Sequence, residues 1–291
     1  MFEFRKYQDG HLEVLELCNN QGTRATFVPG RGGILSGFWV KDVPLLYMDT
    51  DTLHDPDKNI RGGNPVLFPV CGPLEDGKYK TADGREFLMK QHGLARDIPW
   101  EVTNVICAGD GAEITLTLNG NTKSRESYPF DFRLVFTYVI KDSFITIKQR
   151  YCNDSTEEMP FYAGFHPYFY APGAKACFVW ISSETCRNLK TGEEVEFDGK
   201  SDLNALPETN LVFSGLSENR VWFDRTDGYR VMVNYDKSFK FVVLWTLKDR
   251  EFLCLEPWMG INYDMNRNRA RIINPGEELK AEVTYSLQPG N

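Results

Sequence analysis

Phe132-Arg-Leu-Val-Phe-Thr-Tyr138, the turn Lys141-Asp-Ser143 and then Phe144-Ile-Thr-Ile147 decide the fold class. Apolar side chains return at nearly every second position, which is the repeat of a strand with one face on a core. Working outward, the same period appears in Leu12-Glu-Val-Leu-Glu-Leu17, Ile114-Thr-Leu-Thr-Leu118, Val221-Trp-Phe223, Arg230-Val-Met-Val233 and Phe239-Lys-Phe-Val-Val-Leu-Trp245. The clusters Gln8-Asp-Gly10, Cys107-Ala-Gly-Asp-Gly111, Arg225-Thr-Asp-Gly228 and Asn274-Pro-Gly276 break the strands at the spacing of a β-sandwich. No capped amphipathic pattern exceeds about three helical turns. The expectation is an all-β protein: one large, twisted antiparallel β-sandwich domain over residues 1–291. The Pro- and Gly-rich stretch 54–100 reads as long loops crossing one sheet, and loops of that length in a compact domain tend to carry function.

The chain has 291 residues, 42% hydrophobic and 25% charged, which excludes a disordered or collagen-like protein. Lys and Arg number 33 against 41 Asp and Glu, a net charge of −8, so the basic footprint of a nucleic-acid binder is missing. Arg267, Arg269 and Arg271 read as a solvated strand edge. Without a run of about 18 apolar residues there is no membrane span, and the opening residues lack a signal-peptide pattern. A cytoplasmic location is expected. Seven cysteines, without any C-x-x-C, read as reduced thiols and not as a disulfide framework or zinc site.

Several motif-like stretches fail on chemistry. Gly72-Pro-Leu-Glu-Asp-Gly77-Lys78 has P-loop spacing, but Tyr79 stands where a Ser or Thr must meet magnesium, and Glu75 and Asp76 would repel phosphate. Gly30-Arg-Gly-Gly33 reads as a turn between strands. Of four histidines, His11 and His54 sit in polar turns and are expected at the surface. His92, in Gln91-His-Gly-Leu-Ala-Arg96, and His166, in the aromatic run Phe161-Tyr-Ala-Gly-Phe-His-Pro-Tyr-Phe169, are either satisfied structural histidines or site residues. Glu256 ends the apolar strand Phe252-Leu-Cys-Leu-Glu-Pro-Trp258, where desolvation would raise its pKa towards the range useful in proton transfer. The alternative is a strand-end carboxylate pointing outward. His166 and Glu256 each precede a proline, which favours extended backbone and a fixed side-chain direction.

Four segments together resemble the aldose 1-epimerases (mutarotases) and the related hexose-6-phosphate 1-epimerases, of galactose-mutarotase-like fold. They are Ile60-Arg-Gly-Gly-Asn-Pro-Val-Leu-Phe-Pro69, Gln91–Arg96 with Trp100, His166-Pro-Tyr-Phe169 and Leu255-Glu-Pro-Trp-Met-Gly260. The resemblance implies Glu256 as general base, His166 as general acid, His92 and Arg61 as ligands of sugar oxygens, and Arg96 as a supporting or anion-binding residue. It also puts Asn210 where the family commonly has an aspartate; an amide still hydrogen-bonds a hydroxyl but supplies no charge. Phe68, Tyr168 and Trp258 are candidate aromatic faces for a pyranose, or core residues.

The implied activity is interconversion of α and β anomers of an aldohexose by acid–base ring opening and closure, with a small aldose or aldose phosphate as partner. Such proton transfer needs no metal or organic cofactor. Rival readings are a glycoside hydrolase, which would require a second well-placed carboxyl group, and a non-catalytic sugar-binding protein. The oligomeric state is not written in the sequence.

Overall fold

The computed structural model describes residues 1–173, 178–200, 203 and 205–290. Among them, two antiparallel sheets dominate. The smaller has five strands in chain order, Phe2–Asp9, Leu12–Asn19, Arg24–Val28, Ile34–Val40 and Val43–Pro44. The larger has thirteen described strands. Its main path runs Val66–Leu67, Gly164–Phe165, Phe252–Trp258, Phe241–Leu247, Glu208–Asp224, Tyr229–Tyr235, Glu278–Pro289, Phe144–Asn153, Phe132–Ile140, Gly111–Asn119 and Glu101–Ala108. Tyr168–Tyr170 adds to Phe252–Trp258, and Phe178–Asn188 adds to Glu208–Asp224. The all-β expectation holds.

Alternation builds these strands. Phe132–Ile140 buries Phe132, Leu134, Phe136, Tyr138 and Ile140 and leaves the residues between half-buried. It pairs with Gly111–Asn119 and with Phe144–Asn153. Its inner face meets the smaller sheet, for instance where the Phe27 ring packs edge-on against Tyr138 at 5.0 Å. The core cluster takes residues from both sheets, from Phe2 to Leu287. A buried arginine joins the layers as well: Arg225 donates to the Pro44 carbonyl at 2.6 Å and is neutralised by Asp227.

Among the described residues, helix is confined to short segments of about one turn. Thr50–His54 is capped by Asp49, whose side chain accepts from the Thr52 N–H, and Thr122–Arg125 is held by an Asn121–Ser124 capping box. No helix among the described residues is long and apolar enough to cross a membrane. The described cysteines are free thiols, and Cys177 lies outside the described residues. His11 is exposed, while His54 is half-buried beside Asp9, 3.2 Å away.

The stretch 54–100 joins the large sheet at its edge and has more order than loops alone. It contains Val66–Leu67 and the hairpin Lys78–Lys80 with Glu86–Leu88, and the Phe68 carbonyl accepts from both Leu94 and Ala95.

Candidate active site

Strand register brings the two proton-transfer candidates together. Gly164 lies opposite Trp258 and Tyr168 lies opposite Cys254. Counting two residues inward from either pair sets His166 opposite Glu256, although His-Pro and Glu-Pro both interrupt the hydrogen-bond ladder there. Cross-strand partners place their side chains side by side. The His166 backbone is fixed further by its N–H bond to the Pro65 carbonyl, and Tyr168 by its bond to Gly63, so the Arg61–Phe68 segment lies alongside.

His166 Nε2 and Glu256 Oε1 are 3.4 Å apart, and Glu256 is only 1% exposed. Trp258 Nε1 donates to the other carboxylate oxygen at 3.2 Å. Burial pushes the Glu256 carboxyl well above its ordinary pKa, and that single hydrogen bond only partly opposes the shift. Burial, then the nearby Arg96 charge, lowers the His166 imidazole to about 3. Both shifts favour the uncharged form of the pair, a carboxylic acid beside a neutral imidazole.

His92 is prepared differently. Its backbone is in the left-handed region (φ 68°), unusual for a residue with a side chain, and such strain often marks a functional position. Gly72 holds it there: the His92 N–H donates to the Gly72 carbonyl at 3.0 Å, and the Gly72 N–H donates to His92 Nδ1 at 3.1 Å. Since Nδ1 accepts, the neutral ring carries its proton on Nε2, which lies 3.2 Å from the Gln91 side-chain amide. Burial, His166 and Arg96 all hold this imidazole well below its ordinary pKa.

These groups line one cleft of about 560 Å³. Its floor follows the two-residue strand period: Glu208 and Asn210 on one strand, Val243 and Trp245 on the next, Glu256 and Trp258 on the third. Arg61, Gln91, His92, Arg96, His166, Tyr168, Asn262 and Tyr263 complete much of the wall. Arg61 is exposed. Arg96 donates to the Gln91 carbonyl at 3.0 Å, and burial lowers its pKa. Tyr168 stacks on the His166 ring at 4.8 Å.

Eight of the nine residues singled out in the sequence thus share the cleft: Arg61, His92, Arg96, His166, Tyr168, Asn210, Glu256 and Trp258. Phe68 does not. Its ring is fully buried among Tyr128, Phe132, Tyr151 and Phe161, with centroids 5.0–6.1 Å away, because this segment turns its carbonyl towards the His92 loop and its side chain into the core. Asn64, another buried residue of that segment, accepts from Tyr285 Oη at 3.3 Å. Cys254 lies on the same strand face as Glu256, and together with His166 these offer ligand-type atoms within 4.8 Å of one another. Burial raises the pKa of both the thiol and the carboxyl, which opposes the deprotonation that metal binding requires.

Sequence reasoning missed Glu208, Trp245, Lys190 and Asn262. A signal existed for two of them. Glu208 precedes Asn210 by two residues on a strand and so shares its face, and Asn210 pairs directly with Trp245. Glu208 accepts from Trp245 Nε1 at 2.7 Å and is ion-paired with Lys190, which holds its pKa below the usual carboxylate value despite partial burial. A carboxylate thus sits at the cleft beside the uncharged Asn210.

A family model described as aldose 1-epimerase matches residues 13–286. The chain belongs to the aldose 1-epimerase family. A crystal structure of the Slr1438 protein from Synechocystis sp. PCC 6803 is 33% identical, covers 99% of this chain and 96% of that one, and superposes with a TM-score of 0.88. A galactose mutarotase-like protein from Clostridium acetobutylicum, 18% identical with 99% of each chain covered and a TM-score of 0.84, has the same fold. Protein LacX (chromosomal) from Lactococcus lactis subsp. lactis is 26% identical over 227 residues, or 69% of this chain and 75% of the relative. Membership of this family supports an epimerase-type isomerase acting on sugars.

Proposed function

We propose that this protein interconverts the α and β anomers of an aldohexose by acid–base ring opening and closure, with residues 1–291 working as one sandwich unit. The observation that carries the reading is the buried Glu256–His166 contact at 3.4 Å on the wall of a sugar-sized cleft.

Ring opening needs one group to take the proton of the anomeric hydroxyl and another to protonate the ring oxygen; closure reverses both transfers. A pair sharing one proton meets this need in either direction. With Glu256 as base and His166 as acid, opening converts a carboxylate–imidazolium pair into the uncharged pair that burial favours. Burial favours the proton on Glu256 in the free cleft, so this assignment requires it to pass first to His166 across the contact between them. Hydroxyls of the incoming sugar, hydrogen-bonded to the carboxylate, would offset the cost of that charge separation. His92, with its proton on Nε2, and Arg96 serve as donors to sugar oxygens. Tyr168 and Trp258, 5% and 2% exposed, support the site from behind, one stacked on His166 and the other hydrogen-bonded to Glu256. The chemistry is proton transfer throughout and calls for no cofactor.

Arg61 and Arg96 on the same wall favour a second reading, in which the substrate is a hexose 6-phosphate held by guanidinium groups. Two-dimensional NMR exchange spectroscopy on glucose, galactose and glucose 6-phosphate anomers tests both. Enhanced exchange is expected for at least one of them, with a fall of at least about 10² in Glu256→Gln while the circular dichroism spectrum is retained. Saturable binding without faster exchange would instead identify a non-catalytic sugar binder, and cleavage of glycosides a hydrolase.

A further inference from the structure

The His166 imidazole lacks the partner that ordinarily orients a proton-transfer histidine. Its Nε2 faces Glu256, while among the described residues its buried Nδ1 has no hydrogen-bond partner on another residue, where a carboxylate or carbonyl would usually sit, and only its own backbone comes near. Ring contacts take that place. Tyr168 lies parallel to the imidazole at 4.8 Å, and Trp245 and His92 stand nearly perpendicular to it at 5.3 and 5.7 Å.

Two of these three rings are restrained close to their own backbone, Tyr168 by its chain neighbourhood with His166 and His92 by Gly72. Trp245 projects from a strand into the cleft and is held at both ends of its indole. Phe252 stacks on it at 5.2 Å, and Glu208 Oε1 accepts from Nε1 at 2.7 Å. Lys190 and Asn210 in turn fix the Glu208 carboxylate.

We propose that Glu208 is a positioning residue which, through the Trp245 indole, sets the direction of the His166 imidazole. This rests on the reading of His166 as a proton-transfer group. The relay works by an acceptor atom and a wall of ring atoms, so glutamine at 208, which keeps an oxygen for the indole N–H, preserves it, and alanine removes it. A small rotation of the imidazole is enough to matter, since misplacement by about 1 Å can lower a rate by as much as about 10².

The test compares Glu208→Ala, Glu208→Gln, Trp245→Phe and the Glu208→Ala/Trp245→Phe double variant. Exchange spectroscopy on the sugar that the wild type turns over gives kcat and KM; long-range ¹H–¹⁵N spectra of the sugar-free protein report the His166 ring. Glu208→Ala is expected to lower kcat about tenfold with KM changed less than about threefold, and to move the His166 resonances. Glu208→Gln should recover most of kcat and leave those resonances in place. Trp245→Phe should match Glu208→Ala, and the double variant should be no slower than either single one. A loss confined to KM, equal losses in the Ala and Gln variants, or multiplying losses in the double variant would overturn the relay. So would His166 resonances that stay put in Glu208→Ala, a result readable even if the wild type exchanges no anomers and the epimerase reading itself falls.

Discussion

At the scale of single residues, a carboxyl group without charge compensation and an imidazole that resists protonation are held in contact. The sign of the resulting pH dependence follows from the two shifts. His166, lowered to about 3, stays neutral until strongly acidic pH, while Glu256, raised, keeps its proton until the pH climbs past that higher value. The one-proton state therefore extends from about pH 3 to above the ordinary carboxylate range, and kcat/KM should lack the inflection near 6.5 of an ordinary histidine. A pH–rate profile by polarimetry or exchange spectroscopy, showing half of the activity lost close to 6.5, would contradict this. The two residues were legible because each is a polar group inside an apolar or aromatic run. Phe68 was misjudged because membership of a motif does not say which way a side chain points. Glu208 and Lys190 lie in polar surroundings that give no contrast, and Trp245 matched a strand pattern too well to be noticed.

At the scale of elements, alternation was a reliable guide where one face meets the core. Phe132–Ile140 and Tyr229–Tyr235 contain the stretches that the two-residue period picks out. It failed for Phe2–Asp9, exposed along nearly its whole length, and for Glu101–Ala108, an edge strand without a fully buried residue. Strands of two residues such as Val66–Leu67 are too short to show a period at all. The loop carrying His92 depends instead on glycine. Gly93 has φ 76°, and a Cβ there would come within 2.1 Å of the Phe68 carbonyl oxygen. Gly93→Ala is accordingly expected to destabilise the protein by about 1–3 kcal/mol in urea unfolding and, by shifting the adjacent His92, to lower kcat/KM about tenfold. Wild-type values for both would mean that the loop yields at no cost.

At the scale of the whole molecule, the layers are tied by apolar packing and by Arg225, which is buried, hydrogen-bonded to Pro44, neutralised by Asp227 and lies within 5.0 Å of the Tyr170 ring. Removing it leaves the Pro44 carbonyl without its donor, while Asp227, which is exposed, stays solvated. Arg225→Ala should cost about 1–3 kcal/mol in urea unfolding, with KM unchanged in the fraction that stays folded, since the residue lies outside the cleft. A cost below about 1 kcal/mol would show that apolar contacts alone join the layers. In the proposed reaction, with Glu256 only 1% exposed on the cleft floor, the hydrogen ion taken from one anomer would go back to the other, a closed circuit that neither buffer strength nor bulk water need supply or drain.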